Sequence, residues 1–133
     1  ETMSKKLQSI ATKNAPAALG PYSQAIKAGQ FIYVSGQIPL IPKTMEIVSD
    51  DFNEQAVQVF NNLKAIIEEA GCRFTDIVKI NIYLKDLSNF QKVNAIMETF
   101  FMEKPFPARA AVEVSRLPKD VEIEMDAVVF SDD

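Results

Sequence analysis

The chain contains no histidine and a single cysteine, Cys72. Without histidine there is no Ser-His-Asp triad, no Cys-His pair and no His-ligated metal centre within one chain. One cysteine allows no intrachain disulfide and no thiolate cluster, a usage that fits a reducing compartment. No apolar run approaches the ~18 residues needed to cross a bilayer. Nor is there an excess of positive charge, since the formal net charge is −4. An acidic domain of this size has no global attraction to nucleic acid or to anionic membranes. Arginine is scarce: Arg73, Arg109 and Arg116 stand against eleven lysines. Any chemistry therefore falls to carboxylates, arginine, lysine, tyrosine, hydroxyls and backbone groups.

What is present is an ordinary globular composition. The 133 residues, 47% apolar and 24% charged, give room for one domain and set aside disorder, collagen and coiled coil. Residues 1–133 read as a single domain. Glu1 and Thr2 precede Met3-Ser4-Lys5-Lys6 and read as a tag remnant, with 1–5 a disordered start. Asp132-Asp133 reads as a frayed end. No apolar leader is visible, so the expected location is the cytoplasm, or the mitochondrial matrix if a presequence has been removed.

Two segments carry helical periodicity. From Asn53 to Ala70 the apolar stripe is Ala56, Val57, Val59, Phe60, Leu63, Ile66, Ile67 and Ala70. Asp51 with Glu54 offers a capping box, and Gly71 a stop. A second helix is predicted from Asn89 to Glu103, with Phe90, Val93, Met97, Phe100 and Phe101 as its stripe. Ser88 with Gln91 would cap it and Pro105 close it. Strands are predicted at 31–34, 77–84, 109–114 and 121–130, with weaker ones at 6–10 and 23–28. The order is β-β-β-α-β-α-β-β.

Two helices cover only one face of such a sheet. Yet Phe31-Ile32-Tyr33-Val34 is apolar on both sides, and Ile77 and Tyr83 oppose Val78, Ile80, Ile82 and Leu84. Strands apolar on both sides have both faces covered, so a second subunit is expected to supply the other cover.

The last two strands were expected to pair as an antiparallel hairpin through Arg116-Leu117-Pro118-Lys119-Asp120. Lys119 and Asp120 read as ordinary turn residues. Matching apolar face to apolar face then puts Arg109 on one side of the ribbon with Glu124 and Asp126. From periodicity alone, a solvated polar face with weak cross-strand ion pairs is the favoured reading. But Arg109 sits in Phe106-Pro107-Ala108-Arg109-Ala110-Ala111-Val112. An arginine among small and apolar neighbours suits a bidentate clamp for a carboxylate or phosphate. Gly20-Pro21-Tyr22-Ser23 places an aromatic hydroxyl in a rigid turn, and Ser35-Gly36 ends a buried strand with exposed backbone N–H groups.

Together these residues form a pattern. The segment from Asn14 to Ala25, Val34-Ser35-Gly36-Gln37-Ile38-Pro39, Phe106 to Val114, and Leu117 to Glu124 resemble the signatures of the Rid family, also called YjgF or reactive intermediate deaminase proteins. The resemblance runs from about Ile10 to Val129, with four motifs in order, and is to the subgroup that keeps the arginine. It implies an α+β, chorismate-mutase-like single domain, a mixed sheet with two helices on one face. It implies a homotrimer with clefts between subunits. It also implies cofactor-free hydrolysis of 2-iminobutanoate and 2-iminopropanoate, released by pyridoxal-phosphate dehydratases, to 2-oxo acids and ammonia. On that resemblance Arg109 binds the carboxylate and Glu124 attends the water. Tyr22, Ser35, Gly36 and Asn94 line the cleft, and Ala111 contributes its backbone N–H. No metal is implied, and neither nucleic acid nor membrane is expected as a partner.

Two positions depart from the family pattern. Ala111 stands where many members have cysteine, which excludes thiol regulation there. Met45 stands where glycine is frequent, which bears on the loop conformation. Two other functions compete with this one: a non-enzymatic module binding small carboxylates or 2-oxo acids, and RNA cleavage or translation inhibition. Glu124 tilts towards chemistry, because pure anion binding gains nothing from a nearby carboxylate. Net charge and the lack of a basic stripe argue against RNA.

Overall fold

The computed structural model describes residues 6–103 and 105–132. The predicted tag remnant and disordered start at 1–5, and Asp133, lie outside them. The strands are β1 (Leu7–Ile10), β2 (Ala25–Ala28), β3 (Phe31–Gln37), β4 (Ile77–Leu84), β5 (Ala108–Glu113) and β6 (Ile123–Phe130). The helices are α1 (Phe52–Glu69) and α2 (Phe90–Phe100). The predicted element order holds, joined by three short 3₁₀ turns.

Helix α1 ends where the sequence signals put its ends. The Asp51 carboxylate accepts from the Glu54 N–H at 2.9 Å. At the other end Gly71 has φ +81°, and its N–H donates to Glu68 O while that of Cys72 donates to Ile67 O. That pair of bonds is a Schellman motif, which needs a residue tolerant of the left-handed region. Helix α2 is shorter than predicted. Asp86 caps a preceding 3₁₀ turn, Asn89 makes no side-chain cap, and the helix stops at Phe100. The Ser88–Gln91 capping box is not formed, because the Ser88 N–H is taken by Asp86.

The six strands form one mixed sheet in the order β1-β2-β3-β6-β4-β5. All pairs are antiparallel except β4 with β5, which is parallel. The apolar stripes of α1 and α2 pack on one face. Phe60, Leu63, Ile66 and Ile67 of α1 meet Ile80, Ile82 and Leu84 of β4 and Ile123 and Met125 of β6, all fully buried. Burial of each such side chain stabilises the fold by roughly 1.5–3 kcal/mol. Phe60, Phe74, Phe100 and Phe101 close one end of this core with ring centroids 4.7–6.0 Å apart.

Among the described residues no helix covers the other face of the sheet. Phe31, Tyr33 and Phe130 are exposed on it, as the double-sided apolar reading of β3 required. One assignment there was wrong. A register shift between Ile77 and Lys79 breaks the alternation of β4. Ile77 is therefore buried at 4% exposure and Val78 lies open at 40%. No helix among the described residues is long and apolar enough to cross a membrane.

Candidate active site

Arg109 does not share a face with Glu124. Strand β5 is not the hairpin partner of β6: β4 lies between them, and β5 runs parallel to β4 at the sheet edge. In the β4–β5 register Arg109 pairs with Ile80 and Ala111 with Ile82, so both take the helix side. Glu124 pairs with Tyr83, and Asp126 with Asn81, on the open side. The expectation that one chain gathers Arg109, Glu124 and Asp126 on one surface is therefore overturned. Its weak point was β5 itself. Ala110, Val112 and Val114 read as the apolar face, yet Ala111 is the β5 residue that packs on the core.

Helix α2 braces Arg109 from behind. One guanidinium nitrogen, Nη1, donates to Asn94 Oδ1 and lies 3.6 Å from Met97 Sδ. The guanidinium also stacks over the Phe90 ring, 4.7 Å from its centroid. Asn94 and Met97 are three residues apart and Phe90 one turn earlier, so helical spacing aims all three at one point. Nε and Nη2 have no partner among the described residues, leaving an edge able to take a carboxylate bidentately. Beside it is a hollow of about 450 Å³ lined by Asn94, Met97, Glu98, Phe106, Pro107 and Arg109. The Val114 N–H donates to Leu84 O, so by alternation those of Ala110 and Val112 also face β4. The Ala111 N–H then points out of the free edge, available to the same ligand.

Glu124 belongs to a second hollow of about 270 Å³, with Gly36, Tyr83, Arg116, Pro118 and Asp126 on its walls. Burial first, and then the negative charge of Asp126, push the Glu124 carboxyl above the usual carboxylate range. Such a group holds and releases a proton nearer neutrality than a free glutamate does. Gly36 lies in close approach to the end of the Glu124 side chain. It sits in a break of the β3–β6 ladder between Val34 and Gln37, and a Cβ there would lie 2.1 Å from Glu124 Oε2. Ser35 is tied down, its hydroxyl donating to Ser23 O at 2.6 Å and its N–H to Gln24 O at 2.9 Å. Tyr22 is exposed and lines a third hollow, of about 290 Å³, which shares Gly36 and Pro118 with the second.

The residues singled out from the sequence thus form two groups. Arg109, Asn94 and Ala111 gather at the β5 edge beside α2. Tyr22, Ser35, Gly36 and Glu124 gather at the far side of the sheet. Phe90, Met97, Asn81 and Tyr83 were not foreseen as site residues. The polar Asn81 and Tyr83 on an otherwise apolar strand were the available signal for the last two. Lys119 and Asp120 lie in a 3₁₀ turn, as read from the sequence, and both hold φ +56°; Lys119 is on the wall of the third hollow. Met45 keeps the left-handed conformation expected of glycine, at φ +62°. Among the described residues no group of acidic or cysteine side chains is arranged to hold a metal.

A family model described as Endoribonuclease L-PSP matches residues 12–131. The 2-iminobutanoate/2-iminopropanoate deaminase of Salmonella typhimurium is 52% identical over 123 residues, covering 91% of this chain and 95% of that one. A RutC family protein of Pyrococcus abyssi is 55% identical, covering 92% and 96%. Among solved structures, the YjgF gene product of E. coli superposes with a TM-score of 0.88 at 52% identity, covering 92% of this chain and 98% of that one. A Rid family protein of Yersinia pestis reaches 0.92 at 42% identity, covering 94% and 99%.

Proposed function

This chain belongs to the endoribonuclease L-PSP family, the YjgF/Rid proteins, and from that premise we propose that it is a cofactor-free 2-iminobutanoate/2-iminopropanoate deaminase working in clefts between copies of itself. The observation that carries this reading is the split of the site. A braced arginine with a free edge lies at one border of the sheet, and a carboxylate of raised proton affinity lies on the opposite face. Neither half suffices alone. A neighbouring copy that covers the open apolar face brings the two halves together, and three copies related head to tail close the ring.

In the joined cleft Arg109 and the Ala111 N–H hold the substrate carboxylate, which orients the imine carbon. Glu124 holds a water against that carbon. The water oxygen adds to C2, the C=N electron pair moves to nitrogen, and Glu124 takes the water proton and delivers it to that nitrogen. A carbinolamine results. Protonated again on nitrogen, it expels ammonia as the hydroxyl oxygen lone pair forms the new C=O and its proton leaves. The products are the 2-oxo acid and ammonia, and no other reactant is needed.

The test is a coupled assay. Threonine dehydratase acting on threonine releases the enamine and imine, whose decay is followed with and without this protein. Acceleration at substoichiometric protein is the expected result. Decay at the uncatalysed rate, with 2-oxobutanoate still bound in calorimetry, would leave a carboxylate-binding module instead.

A further inference from the structure

Beneath Glu124 lies a set of polar groups for which the reaction just described has no use. Asp126 is two residues further along β6, so its side chain emerges on the same face. Both of its oxygens are occupied. Asn81 Nδ2 donates to Oδ1 at 2.8 Å and the Tyr83 hydroxyl donates to Oδ2 at 2.9 Å. Tyr83 is the cross-strand partner of Glu124, whereas Asn81 is the partner of Asp126. Tyr83 therefore reaches diagonally, lying beside one carboxylate while holding the other. All three side chains are half-buried.

A carboxylate that accepts on both oxygens is held in one orientation. No hydrogen bond from a protein donor among the described residues does the same for Glu124. The two acids thus have unequal surroundings on one short stretch of strand. One is held in place by two donors, and the other keeps its proton longer, through burial first and then through the neighbouring Asp126.

We propose that Asp126, clamped by Asn81 and Tyr83, is a positioning residue whose placement adds to burial in setting when Glu124 carries a proton. This rests on the reading of Glu124 as the residue that moves protons in the cleft. The other groups around Glu124 do not replace Asp126 in this role. Strand β3 presents Gly36, which has no charge, and β4 presents Tyr83, whose own proton is held more tightly through burial and its bond to Asp126. Glu122 precedes Glu124 on the same alternation of the chain, and Lys79 lies beyond Asn81 on β4. Arg116, from the loop before β6, lines the same hollow and brings a positive group to its wall. Arg109 of a neighbouring copy would be the second positive group in the assembled cleft.

The test reads the Glu124 proton directly. Carbon-13 NMR of carboxyl-labelled glutamate, with the Glu124 signal assigned by its loss in Glu124→Gln, gives its titration in the intact assembly. Asp126→Asn should move that titration to lower pH, since the isosteric amide keeps the packing and removes the charge. The acidic limb of the pH–rate profile should move with it in the same direction, with turnover at the plateau largely kept. Tyr83→Phe keeps the ring and frees the Asp126 carboxylate to swing away, so it should move both midpoints the same way by less. It also decides the matter if Asp126→Asn does not fold. An Arg109→Ala background checks that the shift is not transmitted through the neighbouring arginine. An unmoved Glu124 signal in Asp126→Asn and Tyr83→Phe overturns the proposal. So does a moved signal whose rate limb stays in place. If the unmodified protein has no deaminase activity, the functional reading fails separately, and the NMR titration still decides whether Asp126 controls Glu124.

Discussion

Two inactive variants should restore activity when mixed. Arg109→Ala removes the carboxylate clamp, and loss of a bidentate charge-assisted contact costs about 2–4 kcal/mol in the transition state. Glu124→Gln removes the group that moves protons, worth roughly 10²-fold or more. β4 separates their strands and they lie on opposite sheet faces, so on the proposed reading each cleft takes Arg109 from one copy and Glu124 from another. A cleft in a mixed assembly is intact when its arginine comes from a Glu124→Gln chain and its glutamate from an Arg109→Ala chain. For chains mixed equally and at random this holds for about one cleft in four. The assay is co-expression or joint refolding of the two variants, followed by the coupled dehydratase measurement, with each variant alone as the control. Recovery to about a quarter of the unmodified rate is expected, and sedimentation equilibrium should give about three chain masses. A mixture no more active than its parents would sink the split-site model. It would mean that Arg109 and Glu124 act within one chain, against their placement on the sheet.

Gly36→Ala should push the Glu124 carboxylate out of its place, since the new methyl would lie 2.1 Å from Oε2. Turnover should drop by roughly 10-fold or more while calorimetric binding of 2-oxobutanoate through Arg109 persists. Glu124→Gln should change how stability depends on pH. Burial, then Asp126, raises the folded-state pKa of Glu124 above its unfolded value, so its contribution is present below the ordinary carboxylate range and is lost as pH rises through the folded value. The glutamine variant should thus be the more stable at neutral pH in thermal melts, with the two curves converging below about pH 4.3; the opposite order would contradict the burial argument. Met45→Gly relieves a left-handed residue at φ +62°. After the added freedom of the unfolded chain it should stabilise by about 0.5–1 kcal/mol in urea titration.

The elements were legible because their signals are local. Apolar spacing, Asp51 and Gly71 define α1 without reference to anything distant, and the same holds for the core face of β6, where Ile123, Met125, Ala127 and Val129 alternate strictly and are buried. The order of strands was not legible. Chain neighbours β5 and β6 invite a hairpin, and nothing in the loop from Val114 to Glu122 announces that β4 intervenes. Strand β5 could not correct the error, because an edge strand of mainly small residues has nearly the same exposure on both sides and carries no parity. The bulge at Ile77–Lys79 defeated parity on β4 for a different reason, since one extra residue inverts every assignment before it.

The misplacement of Arg109 has a consequence for how the family signature works. The motif from Phe106 to Val114 and the motif from Leu117 to Glu124 are adjacent in sequence, yet they equip surfaces facing away from each other. Arg109 is held to the helix side by Asn94, Met97 and Phe90 of α2, of which Met97 also belongs to the core. Glu124 is held to the open side by strand alternation and by the absence of a side chain at Gly36. A residue pair placed this way cannot meet by loop motion, because moving either would tear it from the sheet ladder that fixes it. On the reading proposed above, another copy docked on the exposed apolar face that carries Phe31, Tyr33 and Phe130 presents the missing half. The uncovered face and the divided site then become one feature of the sequence: the apolar residues left open in a single chain would be the means by which the proposed cleft is assembled.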